Sequence, residues 1–203
     1  MESDSSVTLA YWLKQETQAD HHRVDHHPAL RALLRPNVTM ATYGAALACL
    51  YPAIAGLENA LSQAIEKRNS RYALTLREPL LRHDLTQLNQ PLLPAWCFAV
   101  PASVYEMVGM LYVLEGSRLG GEVIGRHAKR CLGEQIPCRF FTETPLTPAG
   151  WAGFWCFAEA ICPSGSWPQI LRGAQQAFSG FTKALTDSLP ATTTPPLALV
   201  PTE

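Results

Sequence analysis

Alternating runs of β-branched residues are nearly missing from this chain, which argues against a fold built from half-buried strands. No apolar run approaches the ~20 residues that span a bilayer. Charge of one sign is missing too: 16 Lys and Arg face 17 Asp and Glu, a formal −1, which gives no sign of a nucleic-acid partner. The six cysteines include no CxxC pair, so neither a zinc site nor a disulfide frame is indicated. Their apolar surroundings point to reduced, buried thiols and a cytoplasmic protein. The opening MESDSSVTL is acidic and polar, unlike a secretory signal. No flavin or nicotinamide motif occurs.

What is present is helical spacing. Apolar residues recur at intervals of three and four almost throughout the 203 residues, so the chain is expected to be all-α, with one domain over 1–189. The spacing predicts a first helix from Ser6 to His26, stopped by Pro28, which opens a short second one. A long helix follows over Thr39–Lys67, with Pro52 expected to kink it. Prolines 79, 91 and 94 break residues 68–100 into short helices and loops. Ser103 with Glu106 forms a capping box for the next helix, which ends near Gly133. Thr147-Pro148 starts an aromatic helix carrying Trp151, Phe154, Trp155 and Phe157. Ser166 is expected to cap a last helix whose buried stripe is Ile170, Ala174, Ala177, Phe178, Phe181 and Leu185. The Pro- and Thr-rich stretch 190–203 is expected to be disordered.

The helix opened by Ser103 holds Gly109, Gly116, Gly120, Gly121 and Gly125 in its interior. Each interior glycine costs roughly 1 kcal/mol against alanine, so something must come close to this backbone. Gly116 and Gly120 share a face, and Gly109 roughly joins them. Either a second helix packs tightly there, or a flat ligand lies against a helix that bends.

The first helix offers chemistry. His21 sits at the seam between an apolar stripe (Leu13, Thr17, Val24) and a polar edge (Lys14, Asp25). Asp25, one turn on, is within reach of the imidazole's second nitrogen, as a metal-ligating histidine requires. Lys14 supplies a cation for an anionic group. The blander reading is a solvated histidine beside a carboxylate. His22 and His26, also four apart, make with His27 a second possibility: a surface chelate.

Two segments together resemble the heme oxygenase family, in its bacterial biliverdin-producing branch. Leu13, Lys14, Thr17, His21, Val24 and Asp25 are similar to the stretch holding the family's proximal histidine. Glu115 to Gly121, EGSRLGG, is similar to its distal glycine-rich segment, and AQQAFSGFTKAL to its ending. The resemblance implies an all-helical bundle with a kinked distal helix, binding heme as cofactor and substrate. It implies His21 as axial iron ligand, Asp25 near its free nitrogen, and Thr17 in the proximal motif. Lys14 would pair with one propionate and Arg126 with the other edge. Gly116 and Gly120 would be the distal glycines, with Gly121 beside them. Ser117 stands where animal-type members carry a water-organising aspartate, which leaves the group supporting the proton-delivering water open.

The implied reaction uses dioxygen to cleave heme at a meso carbon, yielding biliverdin, carbon monoxide and ferrous iron. Electrons would come from a ferredoxin, flavodoxin or reductase, and the product could reach a bilin-accepting phytochrome or release iron for growth. Three other readings remain at this level. One is a non-catalytic heme or bilin binder on the same fold. The second is a relative whose cavity serves another ligand or a two-metal centre, with Glu58, Glu115 and His127 as loose candidates. The third is a helical interaction module with a metal patch at His22 and His26.

Overall fold

The computed structural model describes residues 7–189. The expected disordered tail, 190–203, and the expected helix start at Ser6 lie outside the described residues. Nine α-helices occur among those described, in the order α1 Leu9–Glu16, α2 Gln18–Asp25, α3 Pro28–Leu33, α4 Met40–Lys67, α5 Glu78–Gln87, α6 Val104–Leu132, α7 Arg139–Thr142, α8 Pro148–Ile161 and α9 Trp167–Asp187. No strand occurs among them.

The single first helix that the spacing predicts is in fact two. Thr17 is fully buried and donates its hydroxyl to the Leu13 carbonyl at 2.7 Å. Its backbone leaves the helical region, at φ −100° and ψ 5°. A threonine bonding back to the preceding turn bends helices in this way, so α2 re-aims His21 relative to α1. His27 then caps α3: its Nδ1 accepts from Ala29 N–H, and Nε2 meets Thr186 Oγ1 at 3.2 Å on α9. Buried and used at both nitrogens, His27 has no place in a surface chelate.

α4 is the central helix, with 17 buried residues. By length and composition it passes for a membrane span, contrary to the sequence expectation, but most of its surface is covered by the other helices. Pro52 lies inside it, and its carbonyl accepts Trp96 N–H at 2.9 Å, tying down the loop after α5. Ser103 Oγ caps α6 by accepting Glu106 N–H at 3.1 Å, while Glu106 Oε2 accepts Ala102 N–H at 2.8 Å. Ser166 holds the N-cap position of α9 as expected, but its side chain makes no capping bond: it ends a 3-10 turn, Ser164–Ser166, and its hydroxyl donates to the Pro163 carbonyl. The predicted α9 stripe is buried at every position named for it.

α6 and α9 form the closest helix pair, and glycine explains how. A Cβ on Gly109 would lie 2.0 Å from the Ile170 carbonyl oxygen, and one on Gly173 would lie 2.0 Å from that of Glu106. Either methyl group would overlap backbone, so the crossing requires both hydrogens. All six cysteines are free, but only Cys49, Cys138 and Cys162 are buried; Cys97, Cys131 and Cys156 are exposed, which corrects the expectation of buried thiols at those three.

Candidate functional site

Beyond that crossing, α6 separates from its neighbours and leaves a cavity of about 320 Å³. His21, Val24 and Asp25 of α2 form one wall, and Gly116, Ser117, Leu119, Gly120 and Gly121 of α6 the opposite one. Leu50 and Ile54 of α4 and Phe178 and Phe181 of α9 supply the apolar interior, with Phe140 and Phe141 of α7 at one side. α7 is short and is held by Asp84, whose Oδ2 accepts Phe140 N–H at 2.8 Å. That bond fixes both phenylalanines.

The glycines of α6 therefore divide into two kinds. A Cβ on Gly120 would meet nothing within 4 Å, and one on Gly116 would only touch Trp151 at 3.9 Å. A Cβ on Gly121 or Gly125 would instead press on Phe141, at 3.2 and 2.9 Å. Tight helix packing accounts for Gly109 and not for Gly116 or Gly120, which keep the cavity wall bare.

His21 is half-buried, its ring edge on the Phe178 ring with centroids 4.6 Å apart. Burial lowers its pKa below the usual 6.5, outweighing Asp25 and Asp20, which raise it; Lys14 lowers it further. At neutral pH the imidazole is uncharged, as a metal ligand must be. Its Nε2 lies 3.4 Å from the hydroxyl of Tyr112, a residue of α6 not singled out in the sequence. Tyr112 is packed in turn by Trp151 and Trp155 of α8. Among the described residues no hydrogen bond joins His21 to Asp25, so the carboxylate acts on the ring through space.

Other expected residues stand back. Thr17 is buried one turn before His21 and does not line the cavity; it shapes the α1–α2 break. Lys14 is exposed on α1 and Arg126 is 70% exposed on α6, 3.4 Å from Glu122; neither lines the cavity. Arg77, missed in the sequence, does line it, from the last residue before α5. Its Nη2 donates to Ser117 Oγ at 2.7 Å and to the Leu114 carbonyl at 3.2 Å. Burial lowers its pKa to about 10, against the raising effect of Glu58, so it remains a cation at neutral pH.

The two-metal candidates do not converge. Glu58 accepts the backbone N–H groups of Arg77 and Glu78, Glu115 pairs with Arg118 at 2.5 Å, and His127 Nε2 lies on the Arg35 carbonyl. His22 and His26 stack at 3.8 Å, with His26 Nδ1 turned to the His22 carbonyl. Among the described residues no three His, Cys, Asp or Glu gather as a metal site.

No family model matches the chain. It is 34% identical over 158 residues to a heme oxygenase of Xanthomonas campestris, covering 75% of this chain and 93% of that relative. Its fold is similar to that of the heme oxygenase of Neisseria meningitidis, solved with NO and CO bound, with a TM-score of 0.70 at 24% identity over 97% of this chain and all of the other. The heme oxygenase of Leptospira interrogans gives a TM-score of 0.65 at 17% identity, over 89% of this chain and all of the other. Heme oxygenase-1 of the cyanobacterium Synechocystis, solved in complex with heme, gives 0.61 at 14%, over 89% and 92%. A relative this similar, matched over nearly its whole length and joined by the same all-helical architecture, makes the chain a member of the heme oxygenase family.

Proposed function

We propose that the cavity between α2 and α6 binds heme and that the chain cleaves it there, at a meso carbon, to biliverdin, carbon monoxide and ferrous iron. One observation carries this: an uncharged imidazole and a glycine wall with no Cβ within reach face the same apolar cavity. The residues fit the group. A neutral histidine would hold the iron and leave it able to take up a gas, and the Gly116–Gly120 wall would leave that space free of side chains. Heme, when bound, supplies both the oxygen chemistry and the carbon that is oxidised.

The chain's own part is to hold, orient and exclude water. His21 would ligate the iron in this reading, with Asp25 biasing its ring. Phe178, Phe181, Phe140 and Phe141 are the apolar contacts that keep the site dry. Lys14, close enough to depress the His21 pKa, answers one propionate; Arg126 answers the other edge. Ser117 and Gly121 complete the distal wall, Gly121 by letting Phe141 approach. Residues 1–189 act as one unit, in the cytoplasm. Electrons come from a ferredoxin, flavodoxin or reductase, and the biliverdin is free for a bilin-accepting phytochrome.

The test is a hemin titration of the purified protein followed by ascorbate or a ferredoxin reductase system in air. A saturable one-to-one Soret band that fades into biliverdin absorption is expected. A Soret band that persists under reductant and oxygen indicates a heme carrier, and absence of a specific band removes heme from the cavity.

A further inference from the structure

Asp84 of α5 is a carboxylate with no exposure to solvent, a setting that is costly unless the group has partners. Among the described residues no lysine or arginine nitrogen lies within 4 Å of it. Arg139 gives its Nε and Nη2 to Glu143 instead. His83 Nδ1 stands 3.6 Å from Oδ1, beyond hydrogen-bond reach, and Oδ1 is buried with no partner. Oδ2 accepts Phe140 N–H at 2.8 Å, across 56 residues of chain. The backbone N–H groups of Phe140 and Arg139 favour the charged carboxylate, against the burial that raises its pKa. Asp84 is therefore committed to the backbone of α7.

That helix needs an outside anchor. It has four residues, too few to hold a helix alone. Cys138 at its N-cap makes no side-chain capping bond, so the N–H groups of its first turn lack a local acceptor. Asp84 supplies one from another helix. Just ahead of α7, Tyr43 of α4 donates its hydroxyl to the Pro137 carbonyl at 2.9 Å. Both phenylalanines on the pinned segment are buried and line the cavity. Phe141 also lies so close to α6 that a Cβ on Gly125 would come within 2.9 Å of it. α6 thus stops α7 on one side, and Asp84 holds it on the other.

We propose that Asp84 is a positioning residue for specificity: by clamping α7 between α5 and α6 it fixes the Phe140–Phe141 wall, and that wall limits how far a flat tetrapyrrole can turn in its own plane, hence which meso carbon is cleaved. The inference rests on the heme reading above. A misplacement of about 1 Å at a reacting centre can cost about a hundredfold in rate. A wall held from both sides is therefore a means of selecting one edge of the ligand over the others.

The experiment compares wild type, Asp84→Asn and Asp84→Ala. In the hemin-free protein, hydrogen exchange at the Phe140 amide reads the clamp. Asp84→Ala is expected to speed it about ten- to a hundredfold, and Asp84→Asn less, since its amide oxygen still accepts. In the hemin complexes, the NMR pattern of the heme methyl groups reads the in-plane seating, and the biliverdin isomers formed read its consequence. Asp84→Ala is expected to turn one seating into a mixture and to add a second isomer, with Asp84→Asn between it and wild type. Thermal melts follow the loss of stability, which by itself moves neither pattern. Should Asp84→Ala not fold, Asp84→Asn carries the test with the same signs. A folded, hemin-loaded variant with an unchanged methyl pattern and isomer overturns the role in specificity and leaves the heme reading intact; unchanged exchange overturns the clamp itself. Failure of the wild type to bind hemin overturns that reading and this inference with it.

Discussion

The hydroxyl of Tyr112 on α6 lies 3.4 Å from Nε2 of His21 on α2, so α6 reaches the nitrogen proposed to ligate iron from behind the cavity lining. A Tyr112 O–H donating to Nε2 holds the ring proton on Nδ1 and leaves the Nε2 lone pair as the ligating one. The same bond must open for iron to bind. Tyr112→Phe is therefore expected to raise hemin affinity by about two- to fivefold, since a hydrogen bond this long is worth about 0.5–1 kcal/mol. Quenching of the neighbouring tryptophan fluorescence by hemin measures it. An unchanged affinity means that the hydroxyl does not compete with iron.

Protonation of His21 gives the pH dependence. Its folded pKa lies below the unfolded 6.5 because burial disfavours the charged ring. Between those two values the unfolded chain binds more protons, so His21 makes stability rise with pH across that window and adds nothing above 6.5. Hemin affinity should be flat above 6.5 and fall on acidification through the folded pKa. Asp25→Asn, which removes the largest raising influence, should move the fall to lower pH. An NMR titration of the His21 ring resonances reads both; a titration at or above 6.5 contradicts the account. His21→Ala should abolish the five-coordinate ferric spectrum, whereas His22→Ala should leave it.

The two kinds of glycine on α6 respond oppositely to a methyl group. Gly109→Ala pushes a Cβ into the Ile170 carbonyl and should cost about 1–3 kcal/mol or more. Gly120→Ala enters open space and should gain about 1 kcal/mol from helix propensity. A bulkier Gly120→Leu should keep the fold and lose turnover. Thermal melts beside hemin turnover separate the effects, and normal heme degradation by Gly120→Leu would take this wall out of the reaction.

Sequence alone determined most of the fold, because its signals are local. Periodic apolar residues, the Ser103 cap, Thr147-Pro148 and the α9 stripe act within a few residues of themselves, and the structure keeps each of them. His21 and the Gly116–Gly120 pair were legible for the same reason, as an imidazole on an apolar seam and a repeated cost on one helix face. Even so, local pattern erred where a side chain chose a backbone partner: Thr17 split the first helix and Ser166 turned to Pro163. Only tertiary structure decided what stands opposite each group. Gly109 and Gly120 are the same residue on the same helix, and packing alone sets one against a carbonyl and the other against empty space. Arg77 and Tyr112 carry no motif; they reach Ser117 and His21 across 40 and 91 residues of chain. Such contacts arise when helices pack, because burial selects partners by position in space and not by nearness along the sequence.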